Sequence, residues 1–137
     1  VTFNTLEHIY DIKNALNETI KALKPGGRLV IGMPFLYRIH AHPYDFHRPT
    51  AEWWIETLER MGLNDIRIRP VVWDLYTTGL SISLTNRLWD RFRRYVIPLY
   101  GVLHGRLRGG GGKHYPAAAG ELISVYTLGY VITATKP

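Results

Sequence analysis

The chain has 137 residues, a net charge of +6, 46% hydrophobic and 20% charged residues, and no cysteine. This is enough for one domain with a core, in the ordinary range for a globular protein. It excludes disulfides, thiolate metal centres, wholesale disorder and any membrane-spanning run of about 20 apolar residues. The stretch VTFNTLEHIYD lacks the basic segment and apolar core of a signal peptide. With Val1 rather than methionine at position 1, a processed or partial chain is the expectation.

In chain order, the first predicted element is a helix over 11–23. Ile12, Leu16, Ile20 and Leu23 recur at four and three residues and make one apolar stripe. Asp11 is placed as its N-cap, and KPGG (24–27) as its stop. RLVIGMPF (28–35) follows, apolar on both alternating faces, as an interior strand ended by Pro34. A second helix is read over 50–62, with Thr50 as N-cap, Trp54, Ile55, Leu58 and Met61 as its buried stripe, and Gly62 as its stop. DIRIRPVVW (65–73) alternates Ile66 and Ile68 with Arg67 and Arg69, as in a strand with one exposed face. Beyond it, two helices are read, from about 81 to 95 and from about 99 to 107, divided at Pro98. RGGGGKHYP (108–116) is read as a loop without regular structure, and residues 126–135 as a final strand. The alternation of helix and strand predicts an α/β fold.

Two segments carry chemistry. The first is IHAHPYDFHR (39–48), dense in imidazoles and charge. Its spacing, His40, His42, Asp45, His47, comes near the H-x-H-x-D-H run of metallo-β-lactamase-like hydrolases but does not match it. It lies just beyond the carboxyl end of a predicted strand, where open α/β sheets bind ligands. His40 or Asp45 can serve as a proton acceptor, and Arg48 as a phosphate or carboxylate holder. The competing reading is structural: Asp45 pairs with Arg48, or caps the next helix. The second segment is basic. Arg67, Arg69, Arg87, Arg91, Arg93, Arg94, Arg106, Arg108 and Lys113 face only Asp74 and Asp90 between Ile66 and His114. Residues 86–108 are read either as an amphipathic segment on an anionic lipid surface or as a helical cap with its arginines in water. No motif accompanies them that points to nucleic acid.

Together the elements resemble the second half of a class I S-adenosylmethionine-dependent methyltransferase. The resemblance rests on Leu6-Glu7-His8 followed by Asp11, on LKPGG (23–27), on a strand ending in Pro34-Phe35, on DFHRPTAEWWIETLERMGLNDIRI (45–68), and on YTLGYVITATKP (126–137). It covers residues 1–74 and 121–137. It implies a partial Rossmann-like fold, with a three-stranded mixed sheet (family strands five, seven and six, side by side) flanked by helices. The whole chain, 1–137, is then one partial domain, with 75–115 as a helical insertion and Gly-rich loop capping the acceptor pocket. The implied cofactor is S-adenosylmethionine, bordered by Leu6, Glu7 and His8. His40 and Asp45 are the implied catalytic pair, Tyr44 and Arg48 the substrate-binding residues, and a metal is not expected. The acceptor is a small molecule: a sugar, lipid or other metabolite.

The sequence departs from the family pattern in one respect. It has neither the Gly-rich turn after a first strand nor the acidic residue that holds the ribose. The expectations are therefore weak or absent cofactor binding by this chain alone, and either a longer parent protein or self-association through an unpaired edge at 28–34. An inactive, oligomeric binding module derived from a methyltransferase is the alternative function. The expected location is cytoplasmic, or membrane-peripheral if 86–108 binds lipid.

Overall fold

A computed structural model describes residues 1–71 and 127–137, together with 78, 79, 82, 114–116 and 122–124. In chain order the described elements are β1 (Thr2–Phe3), a 3-10 turn (Leu6–His8), α1 (Ile12–Ala22), β2 (Arg28–Pro34), α2 (Ala51–Arg60), β3 (Asn64–Val71), β4 (His114–Pro116), β5 (Leu122–Ser124) and β6 (Gly129–Thr135). The helices read at 81–95 and 99–107, the insertion at 75–115 and the basic stretch 86–108 lie largely or wholly outside the described residues. No helix among the described residues is long and apolar enough to cross a membrane.

Helix α1 begins where the Asn14 amide donates to Asp11 Oδ1 at 3.1 Å, relieving one of the unpaired first-turn donors. Ile12, Leu16 and Ile20 bury its stripe, and Leu23 packs at the margin of the core. At the other end Lys136 Nζ donates to the carbonyls of Ile20 at 2.8 Å and Leu23 at 2.7 Å. A cation there meets both the orphan carbonyls and the negative end of the helix dipole. Gly26 takes the left-handed conformation, φ 73°, and its amide donates to Lys136 O, tying the KPGG turn to the end of β6. Helix α2 is started by Thr50, whose hydroxyl accepts from the Trp53 amide, and is stopped by Gly62 at φ 78°.

The sheet order is β1-β2-β6-β3, with β6 antiparallel to both of its neighbours and β1 parallel to β2. Thus β6 lies between β2 and β3, the order expected for three of the strands, but among the described residues the sheet has four. The count is corrected by Thr2 and Phe3, which pair with Ile31 and Gly32. Two residues are too few to carry a periodic signal. The same pairing revises the bare edge expected along 28–34, since β1 occupies part of it. A second correction falls on the Gly-rich loop: its last three residues, His114–Pro116, form β4 and pair with β5. The final strand starts at Gly129 rather than 126. Thr127 is turned inward, where its Oγ1 accepts from the Val71 amide at 3.1 Å and donates to Gly129 O at 2.6 Å.

The core is a set of cross-strand rows on one face of the sheet. Ile31, Ile132 and Ile68 stand directly opposite one another and are buried, with Leu29–Ala134 and Met33–Tyr130 on either side. The stripes of both helices, with Trp54 among the largest side chains, complete the cluster. Each fully buried large side chain is worth roughly 1.5–3 kcal/mol before the entropy of ordering it is subtracted.

Candidate functional site

Strands β1, β2 and β3 run in the same direction, so their carboxyl ends share one edge of the sheet, and the start of β6 lies there too. An open cavity of about 380 Å³ occupies that edge, lined among others by Phe3, Asn4, Met33, Pro34, Tyr37, His40 and Tyr130. Ligands of open α/β sheets bind in this position because the loops that leave the strands converge there.

Residues 35–50 leave β2 at Pro34 and fold back over the 3-10 turn. Three contacts fix them. The Phe46 amide donates to Glu7 O at 2.8 Å. His8 Nδ1 donates to Tyr44 O at 2.6 Å, and His47 Nε2 donates to Tyr10 O at 2.9 Å. Carbonyl oxygens only accept, so the bonded nitrogen of each ring carries a proton. The loop is therefore held against residues 7–10, thirty-odd positions earlier in the chain.

Inside this loop Asp45 and Arg48 form a two-pronged pair. Arg48 Nη2 donates to Asp45 Oδ2 at 2.6 Å, and Nη1 donates to Oδ1. Arg48 Nη1 also donates to His47 O at 2.7 Å. The Asp45 side chain is 1% exposed. The Arg48 hydrogen bonds hold its carboxyl down at about 2, against the opposing effect of burial and with help from the His40 amide, which donates at 3.0 Å. Asp45 is thus an ionised anchor, and Thr50 rather than Asp45 caps α2. His40 Nδ1 lies 3.4 Å from Asp45 Oδ2, so the carboxylate backs the imidazole.

Glu7 sits on the other side of the same imidazole. Its side chain is 0% exposed, and neither carboxylate oxygen has a hydrogen-bond partner. The Nε2 atoms of His8 and His40 stand 3.6 and 3.8 Å from Glu7 Oε1. The two rings meet edge to face with centroids 5.0 Å apart. His40 touches the cavity, Glu7 and Asp45 at once.

The sequence-derived candidates therefore divide. Glu7, His8, His40, Tyr44, Asp45 and Arg48 come together at the carboxyl edge. The Leu6 side chain is buried in the core and does not line the cavity. Tyr44 reaches the cluster through its carbonyl, while its ring is exposed. His42 is exposed and His47 is committed to Tyr10, so the metal-like spacing at 40–47 does not gather into one site. Sequence reading assigned Glu7 and His8 to the cofactor border and His40 to the acceptor, and did not foresee that they meet. Tyr37 and Asn4 at the cavity were not singled out at all, and no local pattern marks them.

No protein-family model matches the chain, and no curated protein matches it either. Among solved structures, the fold is similar to phosphoethanolamine N-methyltransferase 2 of Haemonchus contortus, solved in complex with S-adenosyl-L-methionine. The TM-score is 0.52 at 17% sequence identity, over 98% of this chain and 32% of that one. This chain thus spans about a third of that protein's length and shares a methyltransferase-like fold with it.

Proposed function

We propose that the chain is the acceptor-side half of an S-adenosylmethionine-dependent methyltransferase acting on a small molecule. The observation that carries this reading is the placement of His40, backed by Asp45 and standing between the cavity and Glu7, at the carboxyl edge of a methyltransferase-like sheet. When bound, the cofactor supplies a methyl group on a positively charged sulfur. The fit to it is partial: Glu7 and His8 stand at the edge, but the sequence holds no E/D-x-G-x-G run of the kind that cradles the cofactor after a first strand.

What the chain contributes is on the acceptor side. His40 accepts the proton of an acceptor hydroxyl, and Asp45 orients the ring and stabilises its cationic form. Arg48 keeps Asp45 ionised and in place, so its part is positioning. The cavity walls, Tyr37 and Tyr130 among them, hold the acceptor in line, where alignment supplies most of the acceleration. A sugar, a lipid head or another metabolite fits this description. A second reading, a non-catalytic module that assembles through β2, rests on one observation: among the described residues, β1 pairs with β2 at Ile31 and Gly32 alone.

Calorimetric titration with S-adenosylmethionine, together with sedimentation, tests both. The expected result is a monomer with affinity no tighter than a Kd of about 1 mM, worth about 4 kcal/mol. Micromolar binding would refute the division of the cofactor site. A discrete oligomer that ignores the cofactor would select the module.

A further inference from the structure

We propose that Glu7, His8 and His40 bind one divalent transition-metal ion. The starting point is the Glu7 carboxylate, wholly buried with both oxygens lacking a hydrogen-bond donor. An ionised carboxylate in that setting is costly unless a positive charge meets it. The Arg48 Nη atoms are engaged by Asp45. What does face Glu7 is a pair of imidazole nitrogens, at 3.6 and 3.8 Å. Those separations are too long for hydrogen bonds. They are close to the spacing of two donors that share an ion, about 3.3 Å when the bonds are those of tetrahedral zinc. One ligand atom from each of the three residues lies within 4.8 Å of the others, so small ring movements complete the set.

The protons are arranged for the same purpose. His8 Nδ1 donates to Tyr44 O at 2.6 Å, which leaves the Nε2 lone pair of the neutral ring pointing at Glu7. His40 Nδ1 faces two acceptors, Asp45 Oδ2 and Arg38 O, each at 3.4 Å, and again Nε2 is left for Glu7. Ligand histidines are held this way, by a carbonyl or carboxylate behind the second nitrogen. The His8 and His40 side chains are 27% and 30% exposed, so a bound ion keeps open positions toward solvent and the cavity. Two imidazoles and one carboxylate suit zinc, iron, manganese, cobalt or nickel, whereas magnesium and calcium take oxygen ligands. The site shares only His40 with the spacing His40, His42, Asp45, His47.

The inference stands on Glu7 and does not need the methyltransferase reading. It adds a condition to that reading. His40 is the proton acceptor in the metal-free form; an ion held on Nε2 would occupy that lone pair and would itself supply the lowering of a hydroxyl pKa.

The test is titration of the tag-free chain, without cofactor or acceptor, by Zn²⁺ in calorimetry and by Co²⁺ in visible absorption. The expected result is one ion per chain at micromolar or tighter Kd, with a Co²⁺ spectrum of nitrogen and oxygen ligation. Glu7→Gln and His40→Ala should each weaken binding by more than the roughly 10–100-fold that loss of an outer-shell partner costs. His42→Asn should leave it unchanged. His40→Ala alters a partly exposed side chain, so its effect is read even if Glu7→Gln fails to fold. Absence of stoichiometric Zn²⁺ binding would overturn the proposal. So would loss of binding in His42→Asn with retention in His40→Ala, and so would Mg²⁺ binding as tight as Zn²⁺. Because no cofactor or acceptor is present, failure of metal binding is read separately from failure of the methyltransferase reading.

Discussion

Trp54→Ala is expected to lower the free energy of unfolding by about 3–5 kcal/mol, the range for removing a large aromatic from a packed core. Trp54 is 0% exposed, lies on the inward stripe of α2, and meets the Trp53 ring edge-on at 5.0 Å. Trp53 is itself only partly buried, so it cannot swing in to fill the space without giving up its own contacts. The indole Nε1 has no hydrogen-bond partner. An N–H buried that way costs the fold about 1–3 kcal/mol. Trp54→Phe loses part of the ring volume but also removes that donor, so its cost should be about 1 kcal/mol, far below that of alanine. Denaturant unfolding followed by circular dichroism measures both. Equal losses in the two variants would show that the packing of α2 on the sheet is not what Trp54 contributes.

Arg48→Ala is expected to cost about 2–4 kcal/mol, because it strands a buried carboxylate rather than because the ion pair is worth that much. Asp45 is 1% exposed, while the Arg48 side chain is 22% exposed, so the loss falls toward the lower half of that range. Once the guanidinium is gone, Asp45 keeps among the described residues the His40 amide at 3.0 Å and the longer approach of His40 Nδ1 at 3.4 Å. Lysine should rescue little, since it offers a point charge where the structure uses a planar fork. Replacing both members, Asp45→Asn with Arg48→Met, should recover much of the loss, because no uncompensated charge is then left inside. A double variant no more stable than Arg48→Ala would contradict this account of the loop. So would an Arg48→Ala variant as stable as the parent chain.

The parts of the fold that were legible in the sequence are those written in a local period. Asp11 with Ile12, Leu16 and Ile20 defines α1, and Ile66 and Ile68 alternating with arginines define β3, whose burial follows the same alternation. The strand at 28–34 is marked by its unbroken apolar run, and the turns around it by Gly26 and Gly62. Elements without a period were missed: β1 has two residues, and β4 has three at the end of a glycine run. The start of β6 was placed too early because Thr127 favours strands by type. In the fold its hydroxyl replaces ladder hydrogen bonds.

The candidate site was legible in its pieces and not in its assembly. Position alone pointed to 39–48, since it follows a strand at its carboxyl end. Within it, Asp45 and Arg48 were recognisable as a pair three residues apart. The meeting of His40 with Glu7 and His8 spans more than thirty residues and depends on loop contacts such as Phe46 to Glu7. No spacing rule encodes contacts of that kind. Nor does the sequence show that the Leu6 side chain turns into the core while Glu7, next to it, turns toward the histidines.

The central claim is that the carboxyl edge of this sheet is the acceptor and methyl-facing side of a methyltransferase site. Amide chemical-shift mapping, with S-adenosylmethionine raised to millimolar concentration, tests it most directly, because it reads location even when affinity is weak. The account predicts small, fast-exchange shifts at Phe3 to His8, at Gly32 and Met33, and at His40, with the Arg28 end of β2 unmoved. Shifts confined to other surfaces would contradict it.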